Sequence, residues 1–306
     1  MLNSIPIIPK PGQIIESGGY FTLNPESGVM FGDESDAAGE FICSFIGLKP
    51  NTEGNIRFIL DSKIKNHEAY GLVIEKGGIT ITASTAAGFF YGAQSIRQLL
   101  PEKFETEKIS DLIKLPCIII KDSPRFPYRG FMLDCARHYF GIDVIKKLLD
   151  LMALHKLNRF HWHLTEDQGW RIEIKKYPKL VEIGSKRTKS QTGGRLLWGE
   201  KEYDDKPHSG YYTQADIKEI VAYAKSLFIE VIPEIDMPGH FTAALAAYPQ
   251  LSCTGGPFEV GAKWGIYKDI LCAGKESVYD FVEDILDEII PLFPYRHIHI
   301  GGDEAP

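Results

Sequence analysis

The sequence predicts an α/β protein in two parts: an α+β unit over residues 1–122, then a (β/α)8-type barrel segment over 123–306. Three observations carry that expectation. The pattern of short runs changes at Ser123-Pro124. Beyond it, strands and amphipathic helices alternate at the spacing of parallel βαβ units. Each strand there ends in a polar cluster, where a (β/α)8 barrel builds its active site. A barrel closes at eight strands and about four can be counted, so the expectation is a TIM barrel truncated to about four βα units, its last strand edge open.

In chain order, FTLN (21–24), IRFIL (56–60), YGLVIE (70–75) and ITITAS (79–84) are rich in β-branched and aromatic residues and predict strands. Lys76-Gly77-Gly78 predicts a hairpin turn. Thr85 to Leu100 places Phe89, Phe90, Ala93, Ile96, Leu99 and Leu100 at helical spacing. An antiparallel sheet with helices on one face is the economical packing, and this part carries no evident chemistry. GFMLDCA (130–136) then predicts a strand, and Asp143 is expected to cap a helix through Val144, Leu148, Leu149, Met152 and His155. RFHWHL (159–164), FIEVIPEID (228–236) and HIHIGG (297–302) are the next strands. Helices are predicted over Thr213 to Leu227, with Thr213 and Asp216 in a capping arrangement, and over Ser277 to Ile290. The connection from 165 to 212 is long, as binding walls tend to be.

Composition narrows the function classes. A net charge of −7 and a pI near 5.8 leave no footprint for nucleic acid or an anionic membrane, and no run predicts membrane insertion. A neutral or cationic small substrate fits better. The stretch MLNSIPIIPKPGQ lacks the apolar segment of a signal peptide, which leaves open a cytosolic location or a leader outside this chain. Five cysteines without a CxxC argue against a zinc ribbon. Cys117 and Cys135 read as core residues. Cys253 and Cys272 bracket a glycine-rich loop and are either a disulfide or two free thiols.

The chemistry concentrates at strand ends: Asp134 with Arg137 and His138; Thr165 with Glu166 and Asp167; Asp236 with His240; Asp303 with Glu304. In HIHIGGDEAP (297–306), two glycines bend the backbone ahead of adjacent acids that can reach different atoms of one bound molecule. Alone, such a pair reads as solvated loop; the other three clusters shift the balance. His161 and His163 share one strand face and could hold a metal with Asp236, His240 and Asp303. The competing reading, which we favour, makes both packed barrel histidines bonded to neighbouring carboxylates, with no metal and no cofactor. Arg137 could fork onto sugar hydroxyls or a carboxylate, or form a surface ion pair. Trp162 suits the core, whereas Trp170 suits core or a sugar platform equally.

Four stretches together resemble the β-N-acetylhexosaminidases of glycoside hydrolase family 20: YRGFMLDCARHYF (128–140), KLNRFHWHLTEDQGWRIEIKKYPKL (156–180), EVIPEIDMPGH (230–240) and HIHIGGDE (297–304). The leading unit is similar to the non-catalytic domain that precedes the barrel in that family. The resemblance implies a glycosidase acting on a small glycan with a non-reducing-end N-acetylhexosamine. It implies retaining catalysis in which the substrate's 2-acetamido oxygen attacks C1. Glu304 would be the general acid and base, and Asp303 would orient the acetamido group. Arg137 would bind distal sugar hydroxyls. Glu166, at a position that is often Asp in the family, would help tie the site together and, with His240, would join Arg137 among the substrate-binding residues, while Asp236 and His240 would tune the acid. Asp236, His299, Asp134 and Asp167 would support the site. The resemblance also suggests a periplasmic, secreted or lysosomal-type compartment. The family's barrel continues beyond GGDE, so this chain alone is expected to be an inactive fragment, with self-association through the open half-barrel as a further expectation. A metal-dependent hydrolase using His161, His163, His240 and Asp303, or a non-catalytic sugar-binding protein, are the alternatives. The spaced acids DxxDxDxE of chitinase-type enzymes are absent from the sequence.

Overall fold

The computed structural model describes residues 5–193 and 202–305. The first four residues of the N-terminal stretch, part of the 165–212 connection and Pro306 lie outside the described residues. The chain divides into two compact units: residues up to 129 with 150–158 and 226–228, and residues 130–149, 159–225 and 229 onward.

The first unit is built on a seven-stranded sheet. Its strands are β1 (Gln13–Leu23), β2 (Gly28–Met30), β3 (Lys49–Pro50), β4 (Ile56–Leu60), β5 (Tyr70–Glu75), β6 (Gly78–Ala83) and β7 (Ile113–Asp122), in the order β1-β7-β5-β6-β4-β2-β3. The sheet is mixed, which corrects the antiparallel expectation. β1, β7, β5 and β6 pair antiparallel, while β6-β4, β4-β2 and β2-β3 are parallel. The cause is topological: the 61–69 connection skips one position, so the β5-β6 hairpin folds back and β6 enters beside β4 in the same direction. Period-two alternation buries Leu72 and Ile74 of β5 and Ile79, Ile81 and Ala83 of β6. The helix Ala86–Leu99 covers that face, its Phe89, Phe90, Ala93 and Ile96 buried, with Thr85 Oγ1 accepting the Gly88 N–H at 3.3 Å as N-cap. It sits close to the sheet because Gly88 and Gly92 lack a Cβ; one at Gly92 would lie 2.6 Å from Ile81 Cγ2. Glu68 is the polar anchor of this unit. It accepts from both Arg129 terminal nitrogens, at 3.0 and 2.7 Å, and from Asn158 Nδ2 at 2.9 Å.

The second unit contains three parallel strands, Gly130–Asp134, Arg159–His163 and Glu230–Glu234, with Arg159–His163 in the middle. The register runs Asp134↔His163↔Glu234, so three polar side chains end neighbouring strands in line. The HIHIGG segment follows on: His299 bridges Glu234 in parallel, and Ile235 and Met237 donate to the His299 and Ile300 carbonyls. Phe160 and Trp162, the outward residues of RFHWH, are fully buried. The helices are Ile142–Leu154, Gln214–Ser226 and Glu276–Ile289. Asp143 falls in the first turn of its helix and is not its cap, because the helix begins one residue earlier at Ile142. The expected capping pair at Thr213 forms: Asp216 N–H donates to Thr213 Oγ1 at 3.1 Å, and Thr213 N–H to Asp216 Oδ2 at 2.8 Å. Val278, Phe281, Ile285 and Ile289 form the buried stripe of the last helix.

Cys117 and Cys135 are buried, as expected of core residues. Cys253 and Cys272 are free thiols. Among the described residues no helix is long and apolar enough to cross a membrane.

Candidate active site

The predicted site residues other than His299, Asp303 and Glu304 sit at or just past the C-terminal ends of the parallel strands; His299 lies in the bridging segment, and Asp303 and Glu304 follow it. The DE pair is presented by a tight backbone turn. Gly301, Gly302 and Glu304 all have positive φ, at 63°, 90° and 49°. Gly301 is required twice over. Its φ suits glycine, and a Cβ there would overlap the Asp236 carboxylate. That close approach lets Gly302 N–H donate to Asp236 Oδ1 at 3.1 Å. Asp303 and Glu304 remain more than half exposed, their side chains at 62% and 51%.

Behind them lies a buried relay. His240 Nε2 is 3.1 Å from Glu304 Oε2, while its Nδ1 is 3.0 Å from both Asp167 Oδ2 and Glu166 Oε2. Hydrogen bonds to the two carboxylates, Asp167 first, outweigh burial and raise the imidazole to about 11, so His240 carries charge. Asp167 Oδ1 takes the Thr242 N–H at 3.0 Å, which fixes the carboxylate. Burial opposes ionisation of Glu166, but bonds from His163 and His240 and the nearby Arg137 hold it down at about 2. Arg137 forks between Asp134 Oδ2, at 2.9 Å, and Glu166 Oε1. Asp134 Oδ1 accepts the Ala136 and Arg137 N–H groups, which shapes the turn that aims the guanidinium. Asp236 is the opposite case. Burial pushes its carboxyl up, Gly302 N–H opposes this, and Asp303 and Glu166 add repulsion, leaving it at about 7.

His299 Nδ1 accepts the Gly301 N–H at 3.0 Å and lies 3.1 Å from Glu234 Oε1. Glu234 was not singled out from sequence, yet it is the hub of the neighbouring layer: His161 Nε2 and His163 Nδ1 are each 2.6 Å from its Oε2. These partners hold it well below the usual carboxylate range against burial, and His163 rises to about 9 despite burial. A signal was available, because Glu234 and Asp236 are two apart on one strand run and so face the same side. Trp264 was missed as well: the Arg137 guanidinium lies 5.2 Å from its ring centre. Trp170 and Trp162 are both core, with Trp162 Nε1 3.2 Å from Cys135 Sγ.

The metal set weighed as an alternative from sequence comes together only in part among the described residues. Among the described residues, His161 groups with Glu234 and His299, and His163 with Glu166 and Asp236. His240 and Asp303 group with Asp236 instead. The histidines of HxH bond to carboxylates of adjacent strands, which is the packed reading.

Comparison with known proteins decides the family. The model for "Glycosyl hydrolase family 20, catalytic domain" matches residues 126–306, and that for "domain 2" of the same family matches 4–123. The chain belongs to glycosyl hydrolase family 20. A beta-hexosaminidase of Porphyromonas gingivalis is 44% identical across 99% of this chain, and an N,N'-diacetylchitobiase of Vibrio harveyi is 37% identical across 78%. The chain spans 39% and 29% of those two relatives. Among solved structures, the family-20 β-N-acetylhexosaminidase of Streptomyces coelicolor superposes with a TM-score of 0.87 at 35% identity, covering 99% of this chain and 61% of that one. The exo-β-N-acetylglucosaminidase of Vibrio harveyi, in complex with N-acetylglucosamine, gives 0.83 at 34%, covering 99% and 47%. The fold is accordingly an α/β TIM-barrel catalytic domain preceded by a further domain; no closed barrel is present among the described residues.

Proposed function

We propose that the protein containing this chain removes terminal β-linked N-acetylhexosamine, GlcNAc or GalNAc, from small glycans by substrate-assisted retaining hydrolysis. The observation that carries this is the pair Asp303 and Glu304, accessible at a strand end, with a charged imidazole bonded to Glu304. The names of the family relatives support the substrate class.

In this reading Glu304 gives its proton to the glycosidic oxygen as the bond from that oxygen to C1 breaks. The acetamido oxygen of the substrate forms the new bond to C1, giving an oxazolinium ion. Water then attacks C1, returns its proton to Glu304 and reopens the ring with the β configuration retained. The positive charge on His240 stabilises the Glu304 carboxylate left after the first step. Asp303 orients the acetamido group and balances the charge that develops on it. Arg137, held by Asp134 and Glu166, binds hydroxyls remote from the scissile bond. Asp236, accepting the Gly302 N–H, and His299, accepting the Gly301 N–H, brace the turn that carries the DE pair. We further infer that the four parallel segments are four successive βα units of the barrel, beginning near residue 123, a reading their common register supports.

The test is cleavage of an aryl β-N-acetylglucosaminide by residues 1–306 and by a version carrying the further length present in the relatives. In whichever is active, Glu304→Gln is expected to cost about 10²–10⁴-fold in kcat with the fold intact. Asp303→Asn should cost about 10²–10³-fold. The first-formed product should be the β-anomer. Near-native turnover by both variants, or activity abolished by a chelator, would overturn the mechanism.

A further inference from the structure

Glu234 stands where three neighbouring segments of the second unit meet. Its strand pairs in parallel with Arg159–His163 on one side, in the register Glu234↔His163, and bridges His299 on the other. His161 and His163 lie two apart on their strand and share a face, which brings both imidazoles to the carboxylate. His161 Nε2 and His163 Nδ1 are each 2.6 Å from Glu234 Oε2, and His299 Nδ1 is 3.1 Å from Oε1. The His161 and His299 ring centres are 4.7 Å apart. Glu234 is buried, whereas the His299 side chain is 48% exposed, so the cluster is open on the His299 side.

One contact in this cluster sets two acceptors against each other. His299 Nδ1 accepts the Gly301 N–H at 3.0 Å, so that nitrogen presents its lone pair and holds no proton. The same atom lies 3.1 Å from Glu234 Oε1, which also only accepts. The two repel unless positive charge comes between them. Either His299 gives up Gly301 and takes a proton, or a cation binds there. His161 adds a second imidazole at the other oxygen of the same carboxylate. His161, Glu234 and His299 each offer a ligand atom, and these atoms all lie within 4.8 Å of one another. Nitrogen and oxygen ligands at about 2.0–2.2 Å from a divalent ion sit about 3 Å apart, close to the separations already present.

We propose that His161, Glu234 and His299 bind a divalent transition-metal ion of the Zn²⁺ class, two imidazoles and one carboxylate leaving the remaining positions to water. Imidazole nitrogens favour Zn²⁺, Co²⁺, Ni²⁺ and Cu²⁺ over Mg²⁺ and Ca²⁺, which take oxygen ligands. His163 is buried and shares Oε2 with His161, so it acts as the outer partner that orients Glu234. The ion takes the His299 lone pair that otherwise accepts the Gly301 N–H, so loading loosens the turn ahead of Asp303 and Glu304. The ion has no part in the proton transfers of Glu304, and the site does not depend on the glycosidase reading.

The test is equilibrium binding of Zn²⁺ and of Co²⁺, each alone, to residues 1–306 freed of metal with a chelator, with Mg²⁺ as the comparison. Binding of one ion per chain is expected, and excess Mg²⁺ should not displace it. Glu234→Gln and His161→Gln should each weaken binding by at least about tenfold, the least that loss of even an outer partner of a metal ligand costs. An ion held instead by Asp236, His240 and Asp303, or by the exposed Cys253 thiol, would bind both variants as tightly as the parent, and that result would overturn the proposal. If neither variant folds, NMR of the unsubstituted chain reads the same site. Zn²⁺ should shift the His161 and His299 ring signals and the Gly301 amide more than the His240 ring. No binding of either ion, or a strongest shift at His240, would equally sink the assignment.

Discussion

Asp167→Asn tests the buried relay more directly than any activity measurement. Asp167 uses both oxygens, Oδ2 toward His240 Nδ1 at 3.0 Å and Oδ1 toward the Thr242 N–H at 3.0 Å. An asparagine has one acceptor oxygen and no charge, so one of those partners must go short, and the ion pair is lost either way. A hydrogen bond to a charged group contributes about 1.5–3 kcal/mol, which is about 1–2 pKa units. His240 at about 11 should then titrate at about 9–10 in the variant, with Glu166 still holding it above 6.5. The sign for stability follows. A base whose folded pKa is raised contributes fully below its unfolded value of 6.5 and loses that contribution as pH rises through the folded value. The variant should therefore match the parent's pH dependence near neutrality and lose stability earlier on the alkaline side. The assay is an NMR titration of the His240 ring, with denaturant unfolding followed across the same range. A His240 that titrates near 6.5 in the parent, or that does not move in the variant, would refute the reasoning.

Two further perturbations probe stability. Lys156 is buried and falls to about 8 from 10.5, burial outweighing the nearby Asp122 carboxylate at 4.0 Å. Because the unfolded chain holds that proton more tightly, the penalty is absent above 10.5 and complete below about 8. Lys156→Met should thus gain about 1–3 kcal/mol at neutral pH, and the gain should fade toward pH 10.5 in urea unfolding; a loss at neutral pH would contradict this. Gly301→Ala adds a Cβ into the Asp236 carboxylate on top of a left-handed φ, whereas Gly302→Ala meets open space and incurs only the backbone cost of about 1–2 kcal/mol. Thermal melts should rank Gly301→Ala clearly below Gly302→Ala; equal melting would show that the contact with Asp236 is relaxed at no cost.

Much of the fold was legible because its elements follow one rule each. RFHWH alternates, the helix Gln214–Ser226 begins at a Thr-x-x-Asp cap, and Glu276–Ile289 carries a clean apolar stripe. What stayed hidden depends on connections and not on runs. Nothing local in IRFIL distinguishes a parallel neighbour from an antiparallel one; that is set by where the 61–69 segment returns to the sheet. The strand β2 and the helix Asp36–Ile42 are short, at 3 and 7 residues, and too brief for periodicity to register.

The site divides along the same line. Carboxylates at strand ends announce themselves, because strand ends in a parallel sheet converge on one rim. Their partners across strands do not. Glu234 is legible only once the register sets it beside His163, and only then do the two histidines of HxH become ion-pair partners of one carboxylate. The opposite protonation tendencies of Asp236 and Glu166 have the same origin. Both are buried acids, but Glu166 bonds His163 and His240 and faces Arg137, whereas Asp236 has one backbone N–H, the charge of His240 without a bond to it, and two repelling carboxylates. Burial alone predicts the same shift for each; the residues on adjacent strands decide its direction. A bound sugar that displaced Arg137 from Glu166 would weaken the support of Glu166, and through it the charge on His240 beside Glu304. If Arg137 and Glu304 act as proposed, occupancy of the distal edge and the acid at the scissile bond would be coupled through three contacts: Arg137–Glu166, Glu166–His240 and His240–Glu304.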